Sequence, residues 1–337
     1  MMKRTLFALL IAIHCGSAIA AEDPLSSWND GQSKQAIESW VQGATQAGGK
    51  AFIPADQRYV VFDNDGTLWP EAPLTFQLQF VLDEIKRLAP EHPEWKQDAL
   101  VQAVINNETK TLIQAGKKGL IQLMTLTHSG MTTDDYAQRV SHWVETHRHA
   151  RFGCRYDQLG YQPMRQLLDY LRANGFKTWI ISGGGIDFMR VLAEKMYGIP
   201  PEQVVGSFSL SEFSLTDNGT QLRKTLNGAF YDDEAMKPVA IHLFMGRHPV
   251  GAFGNSDGDV PMLQYSSANP AYKTFGLLVH HTDGAREYAY DAHPSASGKL
   301  VNGLTLAAKN GWTVVDMKQD WKTVFDPAQC AVGQSRE

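Results

Sequence analysis

The chain has 337 residues, 43% of them hydrophobic, enough for one large domain or a core with an insertion. Its formal net charge is −5 and its pI about 6.1. That mild acidity, with no long basic run to neutralise phosphates, argues against nucleic acid as the main partner.

The N-terminus reads as an export signal. Lys3 and Arg4 supply positive charge, Leu6 to Ile13 a short apolar run, and Ala18-Ile19-Ala20 a small-residue cleavage pattern. The apolar run is too short to span a bilayer. The competing reading is a buried N-terminal helix. Cleavage after Ala20 leaves a chain that begins at Ala21, exported and, in a Gram-negative cell, periplasmic, with no membrane contact afterwards. Bulky His14 argues against lipid attachment at Cys15. Cys154 and Cys330 remain. An oxidising compartment permits a disulfide between them, and two separate buried thiols is the alternative.

Residues 25–49 predict a helical arm with Ile37, Trp40 and Val41 on one face, and Tyr59 to Phe62 a buried strand. Leu78, Val81, Leu82, Ile85 and Leu88 then recur at helical spacing, as do Leu120, Leu123, Met124 and Thr127. Thr132-Thr133-Asp134-Asp135 reads as a capping box ahead of Val140, Trp143 and Val144. Pro163 opens a helix carrying Met164, Leu167, Leu168 and Leu171, and Asn174-Gly175 closes it. "FKTWIIS" is a strand that ends at Ser182, "GGGIDFMRVLAEKMYG" turns into a helix, and "QVVGSFSL" is a short strand. Asn218-Gly219 predicts a hairpin turn. "KPVAIHLFMG" (helix), "PVGAFGNSDGD" (strand and loop), "VPMLQYSS" (helix) and "TFGLLVHH" (strand) complete the pattern. The alternation predicts an α/β fold, a parallel sheet with helices on both faces. The expected organisation is a signal at 1–20, a core at 21–70 and 156–337, and a helical insertion at 71–155.

In such a sheet, ligands bind beyond the carboxyl ends of the strands. Three strands here end in polar groups: Asp63 and Asp65, Ser182, and Gly254-Asn255-Ser256-Asp257-Gly258-Asp259. Two carboxylates two residues apart repel, so they need an opposite charge. Lys237, at a helix start shortly before the third strand, fits better than Lys224. Either one has the exposed surface lysine as its ordinary alternative.

"FDNDGTLW", "IISGGG", the lysine of "AMKPVA" and "GNSDGDVPML" resemble, in order, the four motifs of the haloacid dehalogenase superfamily. They are most similar to its phosphatase branch, in particular the phosphoserine-phosphatase-like group. The resemblance implies a Rossmann-like sheet with an inserted α-helical cap, and a phosphomonoester hydrolase that works through an aspartyl-phosphate with Mg²⁺. It implies that Asp63 is the nucleophile and a metal ligand. Asp65 would ligate metal through its carbonyl and move the proton through its side chain. Dehalogenases lack this second aspartate, so its presence favours phosphate esters. Thr67, Ser182 and Gly183 would hold the loop and the phosphate, and Lys237 would balance charge.

Asn255 and Asp259 complete the metal set that the resemblance implies. Asn255 stands where the family usually has an aspartate. Its carbonyl oxygen brings no charge, which implies weaker metal binding unless Asp257 or Asp259 compensates; which of the three contacts metal stays open. The expected partner is a small-molecule phosphate ester. A phosphotransferase that uses the same intermediate and a non-catalytic exported binding protein of the same fold are the alternatives, and the oligomeric state is open.

Other features are less specific. The glycine spacing of "GGGIDF" is broken at Phe188 and does not support a dinucleotide loop. His280 and His281 point to opposite faces of a strand and do not easily share an ion. Trp69, Trp95, Trp143 and Trp179 either line a cage for a cationic substrate or fill a core. Glu71 lies near where relatives bind a substrate amine.

Overall fold

A computed structural model of the chain describes residues 23–290, except 218 and 226, and residues 298–331. The expected export signal and the first residue of the Asn218-Gly219 turn lie outside the described residues.

The first helix, α1 (Gln32–Thr45), buries Ile37, Trp40 and Val41, as its spacing predicts. Strand β1 (Tyr59–Phe62) follows. Four helices of the insertion come next: α2 (Phe76–Leu88), α3 (Ala99–Ile105), α4 (Thr109–His128) and α5 (Thr133–Thr146). Helix α4 is bent where Gly116 leaves helical geometry. Helix α5 is capped as expected, with the Asp135 main-chain N–H donating to Thr132 Oγ1 at 3.0 Å. Helix α6 (Gln162–Ala173), β2 (Lys177–Gly185), α7 (Ile186–Tyr197) and β3 (Val204–Ser207) come next. Strands β4 (Ser211–Thr216) and β5 (Gly219–Lys224) form the expected hairpin. The chain continues through α8 (Met236–Met245), β6 (Gly251–Gly254), α9 (Val260–Ser267) and β7 (Phe275–His280). Helix α10 (Asn302–Asn310), β8 (Thr313–Asp316) and α11 (Met317–Asp320) end it. Their pattern is too short to read from sequence alone.

Six strands form one parallel sheet in the order β3-β2-β1-β6-β7-β8. The central strands are apolar throughout, as expected for strands covered on both faces. Val60, Phe62, Ile180 and Phe253 face α1, α6 and α7, while Val61, Ile181, Ala252 and Leu278 face α8, α9 and α10. The fold is therefore a Rossmann-like parallel sheet with helices on both faces.

The inserted helices do not form a separate core. Phe76, Phe80, Ile85, Val104, Tyr136, Val140 and Trp143 continue the apolar cluster of the α6–α7 face. Cys154, at the end of the insertion, is disulfide-bonded to Cys330, 176 residues away. That resolves the two alternatives left open by sequence. No helix among the described residues is long and apolar enough to cross a membrane.

Candidate active site

Strand β1 lies between β2 and β6, where the strand order reverses, so the ends of these three strands meet at one crevice. The Asp63 main-chain N–H donates to Phe253 O at 2.9 Å, which carries the β1–β6 pairing one residue past β1. The chain then turns back on itself. The Thr67 and Leu68 N–H groups donate to Asn64 O at 3.1 and 2.8 Å, and Gly66 N–H to Trp69 O at 2.8 Å. Gly66 has φ +78°, and a Cβ there would lie 2.2 Å from Asn255 Nδ2. Both the backbone and the space demand glycine at this position.

Lys237 answers the charge problem of the strand end. Its ammonium is 2% exposed and donates to Asp63 Oδ1 at 2.7 Å, Asp259 Oδ1 at 2.6 Å and Ile181 O at 3.2 Å. Burial disfavours its charge, but the carboxylates of Asp259 and Asp63 prevail and raise its pKa. Lys224 is placed elsewhere: it pairs with Asp187 and sits over the Tyr136 ring at 4.7 Å.

Asp63 is held well above the ordinary carboxylate range by burial and by the charge of Asp259, with Lys237 opposing. Burial pushes Asp65 up to about 6, against a hydrogen bond from Trp69 and the charge of Lys237. That bond runs from Trp69 Nε1 to Asp65 Oδ1 at 2.6 Å. It gives Trp69 a place in the site, whereas Trp143 donates to Asp83 at 2.9 Å and is buried, and Trp95 stacks on His92. No four-tryptophan cage is needed to explain them.

The second strand end supplies hydroxyl and amide groups. Ser182 Oγ accepts from Gly184 N–H at 3.3 Å, which leaves its own proton to donate. Ser207 Oγ donates to Gly183 O at 2.8 Å and accepts the Asp232 N–H at 3.0 Å, so this turn is braced from β3. Gly183 is exposed, as a ligand-binding amide must be.

At the third strand end the three candidate metal ligands separate. Asp257 Oδ1 accepts the Val301 and Gly303 N–H groups at 3.0 and 2.8 Å and is turned away from Asp63. Asp259, expected as a metal ligand, directs Oδ1 to Lys237 and Oδ2 to the Asn255 and Ser256 N–H groups at 2.9 and 3.0 Å. It therefore holds the loop and the lysine rather than an open coordination position. Asn255 faces the catalytic loop: its Oδ1 accepts from Thr67 Oγ1 at 2.9 Å. Thr67 thus braces Asn255 against the loop that follows β1.

Glu71 is held beside the turn that follows β1. It is 4% exposed, and its Oε1 accepts from Asn255 Nδ2 at 2.6 Å and from Tyr290 OH at 2.7 Å. Two further residues take places that sequence reasoning did not assign them. His281 is buried, with Nε2 2.7 Å from Gly66 O and Nδ1 3.1 Å from Glu287 Oε2. Gly66 O only accepts, so Nε2 donates to it, and a charged ring would donate from both nitrogens. Burial works against that charge, but Glu287 prevails and raises the pKa. Asp232 is fully buried behind the Ser182 turn, and burial pushes its pKa up to about 7. Neither of its carboxylate oxygens has a hydrogen bond of ordinary geometry among the described residues, although the Ser182 N–H favours its charged form.

The donor set suits a hard divalent cation. Asp63 carboxylate, the Asp65 main-chain carbonyl and Asn255 Oδ1 are oxygens only, and too few to replace every water of Mg²⁺. Among the described residues no group of three or more His, Cys, Asp or Glu is arranged to hold a metal, and Asn255, which would be the third ligand of this set, is of none of those types. Burial is the largest cause that raises both the Asp63 and the Asp65 carboxyl, and Lys237 opposes it at each.

A model of haloacid dehalogenase-like hydrolases matches residues 60–264. No curated protein matches the chain. Among solved structures, a conserved functionally unknown protein from Anaerococcus prevotii DSM 20548 has a TM-score of 0.57 at 15% identity, covering 89% of this chain and 97% of that one. It shares the fold. A protein with unknown function from Bordetella pertussis Tohama I has a TM-score of 0.43 at 15% identity, covering 77% and 99%. A phosphoserine phosphohydrolase-like protein from Francisella tularensis subsp. tularensis SCHU S4 has 0.38 at 17% identity, covering 66% and 87%. At those TM-scores neither adds to the argument.

Proposed function

Because the chain belongs to the haloacid dehalogenase-like hydrolases, we propose that it is an exported, Mg²⁺-dependent phosphomonoesterase that works through an aspartyl-phosphate on Asp63. The observation that carries this reading is the second carboxyl, Asp65. It is two residues from the nucleophile, oriented by Trp69, and has a pKa near 6 that lets it both hold and release a proton.

An Asp63 carboxylate oxygen attacks phosphorus, and the bond from phosphorus to the ester oxygen breaks. Asp65 gives its proton to the departing alkoxide. The Asp65 carboxylate then takes a proton from water, whose oxygen attacks the phosphoaspartate. The new phosphorus–oxygen bond releases phosphate and restores Asp63. Ser182 Oγ and the Gly183 N–H donate to the equatorial oxygens, and Lys237 holds Asp63 in line. A Mg²⁺ held by Asp63, the Asp65 carbonyl and Asn255 would supply positive charge that offsets repulsion between carboxylate and phosphate. The inserted helices, whose Gln77 accepts from the Gly185 N–H at 2.7 Å beside the second strand end, would act as a cap that selects small phosphate esters. Export is supported by the N-terminal signal pattern and by the Cys154–Cys330 disulfide, which suits an oxidising compartment.

The test is release of inorganic phosphate from p-nitrophenyl phosphate, with Mg²⁺, with chelator, and by Asp63→Asn. Turnover that needs metal and disappears in the variant supports the reading. Turnover by Asp63→Asn at the wild-type rate removes the nucleophile and the mechanism with it. Added glycerol, read by product analysis, separates hydrolysis from transfer to an alcohol.

A further inference from the structure

We infer that Glu71 supplies the negative charge that Asn255 lacks, and that it locks Asn255 as an oxygen donor to the divalent cation. The inference rests on the metal-dependent reading above and assigns a positioning residue within it.

Asn255 alone is an ambiguous ligand, because its amide has one donor end and one acceptor end. Glu71 removes the ambiguity. Its Oε1 lies 2.6 Å from Asn255 Nδ2, and a carboxylate in that place accepts from the NH₂ group while it would repel the carbonyl oxygen. Oδ1 is therefore fixed on the other side, toward Thr67 and the catalytic loop. Tyr290 OH holds the same Glu71 oxygen at 2.7 Å, so the carboxylate is itself anchored. The pair packs directly against the loop, since a Cβ on Gly66 would lie 2.2 Å from Asn255 Nδ2 and 2.3 Å from Glu71 Oε1.

The charge argument is independent of the orientation argument. Asp257 and Asp259 do not compensate for the neutral ligand, because one is bound to the 301–303 main chain and the other to Lys237. Glu71 is the buried carboxylate one amide group behind the ligand. It polarises the Asn255 amide through the hydrogen bond, which makes Oδ1 a stronger donor. The aspartate charge usual at position 255 has in effect moved one residue back in space.

The test is Mg²⁺ binding to the purified protein by isothermal titration calorimetry, without substrate, with folding checked by thermal unfolding. Glu71→Gln keeps an acceptor for Asn255 and Tyr290 but removes the charge. It raises the Mg²⁺ dissociation constant about 10–100-fold. Combining Glu71→Gln with Asn255→Asp returns the charge and reverses the hydrogen bond, and binding recovers to within about threefold of wild type. A merely structural role for Glu71 would not produce that rescue. Asn255→Asp alone sets two carboxylates face to face; they keep one proton between them, and Mg²⁺ binding does not tighten.

Wild-type affinity in a folded Glu71→Gln protein overturns the inference, as does a double variant that fails to recover. If Glu71→Gln does not fold, Asn255→Asp decides: tighter Mg²⁺ binding there means Asn255 lacks a charged partner. A wild-type protein that binds no Mg²⁺ removes the metal-dependent reading together with this inference. Wild-type binding with Glu71→Gln unchanged removes the inference only.

Discussion

Asp232→Asn isolates the cost of a buried carboxylate behind the Ser182 turn. Asp232 has no exposed surface, and burial raises its pKa from 3.8 to about 7. Between these values the folded chain holds a proton that the unfolded chain releases. Stability contributed through this group is therefore full at low pH, falls as pH rises from 3.8 toward about 7, and is level above. One pKa unit corresponds to about 1.4 kcal/mol. Raising the pH from about 5 to about 8 then removes about 2–3 kcal/mol from the wild type through Asp232. Asparagine has nearly the same shape and does not titrate, so the variant lacks this slope. Urea unfolding of both proteins at the two pH values, with chelator present to keep metal out of the linkage, measures the difference. The variant's stability relative to wild type should climb by that amount between the two conditions. An equal difference at both pH values refutes the reasoning, because Asp232 would then ionise alike in the folded and unfolded chain.

Lys237→Met should abolish turnover and cost about 3–5 kcal/mol of stability at neutral pH, because it leaves Asp63 and Asp259 buried without their shared cation. Urea unfolding reads the cost, and a loss that does not shrink on acidification would speak against charge as its cause. Trp69→Phe removes the hydrogen bond that favours ionised Asp65. The Asp65 pKa should rise, so the fall of kcat/KM at alkaline pH should move upward by as much as about one unit. An unchanged pH profile would mean that Trp69 does not act through Asp65.

The parts of the site legible in sequence are those whose chemistry is local. Asp63 and Asp65 stand out because carboxylates end an apolar strand, and Ser182 and Asn255 because two more strands end in polar groups. A strand end is recognisable within ten residues, and the topology of a parallel sheet then brings such ends together without further information. Lys237 was separable from Lys224 for a similar reason: the start of α8 aims it at the ends of β1 and β2. What stayed hidden depends on contacts between distant segments. His281 reaches Gly66 across 215 residues, and Asn255 reaches Glu71 across 184. Asp232 sits in the run "YDDEAMK", where neighbouring acids read as a solvated face, and only the packing of β3 and α8 shows that one is buried.

The orientation of Asp259 shows the same limit. Sequence spacing locates a carboxylate in a loop but not the direction in which it points. The direction is set by its partners, here Lys237 and two main-chain N–H groups that only the folded loop presents together. The site therefore separates its carboxylates by role. In the proposed reading Asp63 and Asp65 act on the phosphate and Glu71 stands behind Asn255, while Asp259 accepts from Lys237. Asp259 and Glu71 are both fixed by hydrogen bonds from groups near the cation position, so they shape the field there without occupying it. A change at either should then alter metal affinity more than it alters the identity of the reaction.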